Sequence, residues 1–174
     1  MNVLILGGNS PRHYDWIRQL GAYLRAQGYE VRLHDYAHWD TGEPATDIDA
    51  ELGRLRQELA DVTEYVIVAK SIGTVIATIG VARGVLTPAR CVLLGVPKDG
   101  VAGDTPAFLP SVGDLPPTTV LQNEHDPYGS AVAVEEWLKP HANASLRFVT
   151  IPTNTTHDYL DFALITDRLV VHRA

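Results

Sequence analysis

Three residue types that can together build an acyl-transfer site occur in the order Ser, Asp, His, each directly after a predicted strand. Ser71 follows the apolar run EYVIVA and stands in the pentapeptide AKSIG. Asp126 lies in the turn QNEHDPYGS, and His157 lies in the polar segment PTNTTHDYL. A serine hydroxyl becomes a nucleophile when a histidine takes its proton and a carboxylate orients that histidine. The pattern therefore predicts Ser71 as nucleophile, Asp126 as acid and His157 as base.

The residues two before and two after Ser71 are small. In a nucleophile elbow, G-x-S-x-G, these two positions nearly touch, so only small side chains fit. Ala69 replaces the first glycine of that pattern and Gly73 keeps the second. Each position also has a simpler interpretation, namely a helix N-cap for Ser71, an Asx turn for Asp126 and a surface position for His157. The chain order and the location of all three after strands favour catalysis.

A hydrolytic site also needs backbone N–H groups that stabilise an oxyanion. The residue after the nucleophile supplies the first, which predicts the Ile72 N–H. The second is expected from the loop GGNSP after the first strand, with the Asn9 N–H as donor and Gly8 as the alternative. This loop could instead hold a phosphate ahead of a helix. It contains neither G-x-G-x-x-G nor a P-loop G-K-[ST], which favours the catalytic interpretation.

The other polar candidates are weaker. His34 and His38 are interpreted as loop histidines, because they follow a strand and need not share a helix face. His125 adjoins the predicted acid and is expected to point away from the site. Asp104 and Asp114 are alternative acids. No spacing of Cys and His indicates a metal site, and no metal or organic cofactor is expected.

The elements that would position these residues are predicted from the hydrophobic pattern. Short apolar runs predict six strands, at residues 2–6, 29–36, 64–69, 91–96, 118–123 and 146–151. Longer periodic segments predict helices from the N-cap Ser10 to Gly28, at 46–61, from Ile72 to about Arg83, from Ser130 to about His141, and from about Asp158. Several strands are apolar throughout, as expected when both faces of a sheet are covered. The predicted fold is three-layer α/β/α with a mostly parallel six-stranded sheet.

Composition limits the functional classes. The chain has 174 residues, 45% of them hydrophobic, which fits one domain over 1–174. Its 14 basic and 21 acidic residues give a net charge of −7, which argues against nucleic-acid and membrane partners. The single cysteine, Cys91, reads as a small buried hydrophobe. The start MNVLILGG lacks the features of a signal peptide or membrane span, so a cytoplasmic location is expected.

From LILGGN to TTHDY the chain resembles a minimal α/β-hydrolase, similar to the small lidless serine hydrolases of the retinoblastoma-binding-protein-nine type. The resemblance implies the same roles for Ser71, Asp126 and His157, and the strand order 2-1-3-4-5-6 in this chain's own count. There are two departures from the superfamily pattern. The two leading strands are missing, as in the small members, and Ala69 replaces a glycine.

Together these observations predict a carboxylesterase-like serine hydrolase that forms an acyl-enzyme. Residues 97–117 are too few for a lid domain, so the site is expected to be shallow and open, with Phe108 and Leu109 at its border. Small acyl esters are the expected substrates, while thioesters and amides stay open. The alternatives are a hydrolase-fold protein-binding module with little or no turnover, and a flavodoxin-like nucleotide binder that uses GGNSPR. The oligomeric state cannot be predicted.

Overall fold

A parallel β-sheet forms the centre of the molecule. The computed structural model describes residues 1–41, 46–101 and 103–169. Within these ranges the strands are β1 (Asn2–Leu6), β2 (Glu30–His34), β3 (Tyr65–Lys70), β4 (Arg90–Leu94), β5 (Thr118–Asn123) and β6 (Leu146–Ile151). They form one six-stranded sheet in the order β2-β1-β3-β4-β5-β6, and every neighbouring pair is parallel. The predicted fold class and strand order are confirmed.

Helices cover both faces of this sheet. In the described part of the chain they are α1 (His13–Ala26), α2 (Ala37–Thr41), α3 (Ile48–Glu58), α4 (Ile72–Ala82), α5 (Thr105–Ser111), α6 (Ala131–Leu138) and α7 (Phe162–Thr166). Side chains of α1 and α7 belong to one hydrophobic cluster, and side chains of α3, α4, α5 and α6 belong to another. The two clusters are the two interfaces of a three-layer structure.

The first strand shows how the sequence produces these layers. Successive side chains of a strand point to opposite faces of the sheet. Accordingly Val3 and Ile5 join the cluster on the α1 side, whereas Leu4 and Leu6 join the cluster on the α4 side. All four are essentially inaccessible to solvent. An apolar run without alternation is therefore required wherever helices cover both faces.

Two helices begin later than predicted. Helix α1 begins at His13 rather than directly after Ser10, because residues 10–14 first form a turn in which the His13 N–H donates to the Ser10 carbonyl at 2.9 Å. The last helix, α7, begins at Phe162 rather than near residue 158. Tyr159 has a φ of 52°, which a helix does not allow, and Asp161 caps the helix by accepting from the Leu164 N–H at 2.9 Å.

The segment 97–117, which is too short for a lid domain, contains α5 and two turns of 3₁₀ helix in its described residues. Phe108 and Leu109, predicted to border the active site, lie on α5 and pack into the core instead. Phe108 is 1% exposed, and its ring centroid lies 5.4 Å from that of Trp137. The prediction was wrong because their apolar side chains serve to attach this segment to the α4 side of the sheet.

The interpretation of His34 and His38 as loop histidines was also wrong, because both side chains are buried. His34 ends β2, and its two ring nitrogens lie 2.8 Å from carboxylate oxygens of Glu51 and Glu58 on α3. Burial by itself lowers the pKa of His34, but the two carboxylates outweigh it and raise the pKa above its usual value. Burial by itself raises the pKa of Glu51, but the hydrogen bonds that Glu51 forms with His34 and with the Ala37 N–H lower the pKa overall.

This buried ion pair connects the fold to the loop after β1. The second Glu51 oxygen accepts from the Ala37 N–H at 2.7 Å and so fixes the start of α2. From α2, His38 Nε2 and Trp39 Nε1 reach the Asn9 carbonyl oxygen at 2.5 and 3.1 Å. The buried pair of His34 and Glu51 therefore helps to position Asn9, a predicted oxyanion donor.

Replacing His34 with Gln is expected to lower the free energy of unfolding more near pH 6 than near pH 9. A histidine with a raised folded-state pKa contributes its full stabilisation below the unfolded value of about 6.5 and loses it as the pH rises through the folded value. Urea unfolding of both proteins at the two pH values measures the difference. The exposed His141→Gln variant is the control. An equal loss at both pH values would contradict a charged His34.

Candidate active site

Ser71 occupies a strained turn between β3 and α4. Its φ of 56° and ψ of −126° are rare for a residue with a side chain. The turn is held by the Ser71 N–H, which donates to the Leu94 carbonyl of β4 at 3.0 Å. The Ser71 side chain makes no capping hydrogen bond to α4. An N-cap is therefore not the reason for serine here, and the hydroxyl is left to line a cavity.

Gly73 is required because α4 begins against the loop that follows β1. A Cβ at this position would lie 2.8 Å from the carbonyl oxygens of both Leu6 and Gly7. The Gly73 N–H instead donates to the Gly7 oxygen at 3.1 Å. Ala69, the other small residue of the pentapeptide, is completely buried in β3. The need for a glycine two residues after Ser71 is thus explained by the carbonyl oxygens of Leu6 and Gly7, which lie too close for a side chain.

Asp126 and His157 are joined by a short hydrogen bond at the carboxyl ends of β5 and β6. His157 Nδ1 lies 2.7 Å from Asp126 Oδ2, and the other carboxylate oxygen accepts from the Tyr128 N–H at 2.9 Å. The Asp126 side chain is fully buried and that of His157 is 10% exposed. An ionised carboxylate only accepts, so Nδ1 carries the proton and Nε2 presents its lone pair.

Tyr159 holds the Asp126 carboxylate of this pair in place. Its hydroxyl donates to Asp126 Oδ2 at 2.8 Å and accepts from the Asn123 N–H at 2.9 Å. Burial raises the pKa of Tyr159 far above its usual value, so the hydroxyl remains a donor. Gly95, with a φ of 57°, leaves room for both rings, since a Cβ there would lie 2.7 Å from His157 Cε1 and 2.6 Å from Tyr159 Cε2.

Ser71 and His157 line the same cavity but are not hydrogen-bonded to each other. The cavity has a volume of about 340 Å³, and His157 Nε2 is buried with no hydrogen-bond partner among the described residues. Leaving a buried polar atom unpaired costs about 1–3 kcal/mol. Such atoms call for a functional explanation, and catalytic hydrogen bonds are often long before substrate binds. The remaining wall residues include Pro97, Val101, Asp104 and Tyr128.

The predicted oxyanion donors are placed around this cavity. Ile72 is the first residue of α4 and lines the cavity, and its N–H has no acceptor among the described residues. Asn9 also lines this cavity. Its side-chain oxygen accepts from the Thr46 N–H and hydroxyl at 3.0 and 2.7 Å. Gly8 lies behind the wall, under the ring of His13. The assignment of these donors remains a prediction.

Two further residues, His13 and Lys70, belong to the site although sequence reasoning gave neither a role. Lys70 precedes Ser71, is 1% exposed, and places Nζ 3.1 Å from His13 Nδ1 and 5.1 Å from the Trp16 ring centroid. Burial lowers the pKa of Lys70 to about 8, although the charges of Asp158 and Asp126 oppose the shift. Burial and, after it, the electrostatic effects of Lys70 and His157 together lower the pKa of His13 to about 4.

These residues line a second cavity, of about 530 Å³, that adjoins the first. His13 and His157 contribute to the walls of both. The only signal in the sequence for a role of His13 was its position. A helix that directly follows the predicted oxyanion loop keeps its first residues near that loop. The start of α1 at His13, later than predicted, could not be read from the pattern alone.

The remaining candidates do not form a second site. The His125 side chain is 60% exposed and lies 3.9 Å from Glu124. Asp114 is exposed, and Asp104 lines the active-site cavity without contacting His157. Burial raises the pKa of the Cys91 thiol to about 12, which makes it unreactive. The described ranges hold no group of three or more metal-ligating side chains and no helix long and apolar enough to cross a membrane.

Comparison with known proteins identifies the fold. No protein-family model and no curated protein sequence matches the chain. Among solved structures, a candidate hydrolase of the α/β superfamily from Xanthomonas campestris pv. campestris is 19% identical, with a TM-score of 0.63 over 97% of this chain and 94% of that one. An esterase of Pyrococcus furiosus is 18% identical, with a TM-score of 0.71 over 95% and 78% of the two chains.

A thioesterase domain from the curacin biosynthetic pathway is 11% identical, with a TM-score of 0.72 over 98% of this chain and 90% of that one. At such identities the similarity establishes architecture only. The chain has the α/β-hydrolase fold.

Replacing Gly73 with Ala is expected to destabilise the protein by about 1–3 kcal/mol, because the added methyl group overlaps two backbone carbonyls that cannot move independently. Denaturant unfolding measures the change. Gly53→Ala on α3 is the matched control. Nothing lies within 4 Å of its added Cβ, so it should stabilise by about 0.4–1 kcal/mol. A Gly73→Ala protein as stable as wild type would show that the elbow is less tightly packed than described.

Proposed function

We propose that the chain is a single-domain serine hydrolase of small acyl esters, similar to the small lidless hydrolases of the retinoblastoma-binding-protein-nine type. One observation carries the proposal. Ser71 sits in a strained positive-φ turn with its side chain unused by α4, on the wall of the cavity that also holds His157. Strain of this kind persists where function requires it. The hydrogen bond from His157 to Asp126 supports the assignment of base and acid.

The proposed reaction is acyl transfer to water in two steps. His157 Nε2 takes the Ser71 proton while the hydroxyl oxygen attacks the carbonyl carbon, and the N–H groups of Ile72 and Asn9 stabilise the oxyanion. His157 then protonates the leaving alcohol, and an acyl-enzyme remains. Water repeats the sequence, with His157 as base, and releases the acid. Asp126 keeps Nδ1 protonated throughout, so that Nε2 is always the atom that exchanges the proton.

The proposed substrate class is based on the cavity that Ser71 itself lines, not on the adjoining one, and on what encloses it. A volume of about 340 Å³ lies at the lower end of small-molecule sites. Residues 97–101 and 103–117 contribute only short helices, and Phe108 is committed to the core. Short acyl chains on exposed alcohols therefore fit best. The esterase and thioesterase among the structural neighbours make thioesters the next class to assay.

The wild-type protein is expected to form a single covalent adduct with a fluorophosphonate, because an activated serine attacks phosphorus as it attacks a carbonyl. Intact-mass measurement at neutral pH detects the adduct, and the Ser71→Ala variant should show none. The increase in mass should map to the peptide that contains Ser71. A folded wild-type protein that stays unmodified would favour the alternative of a hydrolase-fold binding module with no turnover.

Replacing Asp126 with Asn is expected to lower kcat by about 10⁴, because an amide can donate to Nδ1 and so stabilise the wrong tautomer of His157. The measurement is steady-state hydrolysis of a chromogenic acetate ester, with thermal unfolding as a check on the fold. Asp114→Asn is the matched control, since Asp114 is an exposed carboxylate in a 3₁₀ turn and should have wild-type activity. If Asp126→Asn kept its activity and Asp114→Asn lost it, the assignment of Asp126 as the acid would be wrong.

A further inference from the structure

The cavity contains two histidines whose Nδ1 atoms have opposite partners. His157 Nδ1 faces the carboxylate of Asp126 at 2.7 Å. His13 Nδ1 faces the ammonium group of Lys70 at 3.1 Å. A carboxylate accepts hydrogen bonds and an ammonium group only donates them. The two rings are therefore held in opposite tautomers.

The tautomer of His13 follows from the hydrogen-bond inventory. When Lys70 is charged, it can only donate, so His13 Nδ1 must be the acceptor and the ring proton must reside on Nε2. Among the described residues no carboxylate lies within salt-bridge distance of the buried ammonium, whose other contact is the face of the Trp16 ring. The lone pair of His13 Nδ1 is thus an important partner of Lys70, and the other tautomer would leave the ammonium facing an N–H.

The Nε2–H side of His13 lies beside the predicted oxyanion loop. A Cβ on Gly8 would lie 2.5 Å from His13 Nε2 and 2.3 Å from Cδ2, so the ring rests directly on the backbone that precedes Asn9. His13 lines the cavity together with Ser71, Ile72 and His157. No described residue forms a hydrogen bond with Nε2. A donor without an acceptor among the described residues therefore borders the cavity that Ser71 lines.

We propose that His13, held in its Nε2–H tautomer by Lys70, donates a hydrogen bond to the acyl oxygen of the substrate, beside the N–H groups of Ile72 and Asn9. This role deepens the proposed serine hydrolase and rests on it. His13 is then a catalytic residue that transfers no proton, and Lys70 is its positioning residue. The substrate oxygen gains a side-chain donor that the backbone alone does not supply.

A neutral donor suits this position better than a charged one. His157 must become positively charged when it takes the Ser71 proton, and a second imidazolium in the same cavity would oppose that charge. Burial and the neighbouring ammonium keep His13 neutral, with a pKa of about 4. Neutral histidines serve as electrophiles in this way elsewhere, where the environment suppresses their protonation.

The kinetic test compares His13→Gln with His13→Leu. Glutamine places an amide N–H near the position of Nε2, whereas leucine has a similar size and no donor. Loss of one oxyanion donor lowers kcat by about 10²–10³, so His13→Leu should fall by this factor with little change in KM. His13→Gln should stay within about tenfold of wild type. The rate of Ser71 modification by the fluorophosphonate should follow the same order.

A spectroscopic test reads the tautomer without any turnover. Long-range ¹H–¹⁵N correlation spectra of the wild-type protein at neutral pH should show the His13 proton on Nε2, and Lys70→Met should release this preference. A proton on Nδ1 in wild type would overturn the proposal. So would a His13→Leu variant that reacts with the fluorophosphonate as fast as wild type. If wild-type Ser71 does not react at all, the proposed hydrolase fails and the role of His13 fails with it.

Discussion

The hydrogen bond from the Gly73 N–H to the Gly7 carbonyl oxygen, at 3.1 Å, is the contact on which the site depends. It joins the first turn of α4 to the loop after β1, so that Ser71, the proposed nucleophile, and Asn9, a predicted oxyanion donor, line one cavity. No side chain fits between the two backbones. The positive φ of Ser71 follows from the same constraint, because the chain must leave β3 and enter α4 without moving away from β1. Parallel pairing of β1 with β3 supplies the rigid base for this approach.

The loop after β1 is held in place by buried charges and hydrogen bonds as well as by packing. At the outer edge of the sheet, His34 and Glu51 are buried together, and Glu51 also fixes the start of α2. From α2, His38 and Trp39 donate to the Asn9 carbonyl, while Tyr36 donates to the Gly7 carbonyl at 3.0 Å. Carbonyl oxygens of the loop are thereby turned toward the protein. Loops are usually the most mobile parts of a domain. Here side-chain donors from one neighbouring segment hold the loop in place.

The sequence was informative where a single local rule decides the outcome. Apolar runs without alternation predicted a sheet covered on both faces, and the small residues around Ser71 predicted a close approach that Gly73 makes. Prediction from the sequence failed where the contact partner of a residue lies far along the chain. The burial of His34 depends on Glu51 and Glu58, which are 17 and 24 residues away on α3. Phe108 looked available for substrate because its segment is rich in Gly and Pro, yet it pairs with Trp137. Contacts between residues that are distant in the sequence leave no pattern in the neighbouring residues from which they could be predicted.

Two histidines on one cavity wall also show why residue type alone does not define a role. His157 and His13 have the same side chain and share a cavity, but one contacts a carboxylate and the other an ammonium group. The carboxylate leaves Nε2 of His157 as a hydrogen-bond acceptor, and the ammonium leaves Nε2 of His13 as a donor. Lys70 can impose this tautomer because it is buried in β3 and because its position next to Ser71 ties it to the elbow. Lys70 occupies a position that the pattern G-x-S-x-G leaves open, and its identity thus decides the tautomer of His13 in the cavity.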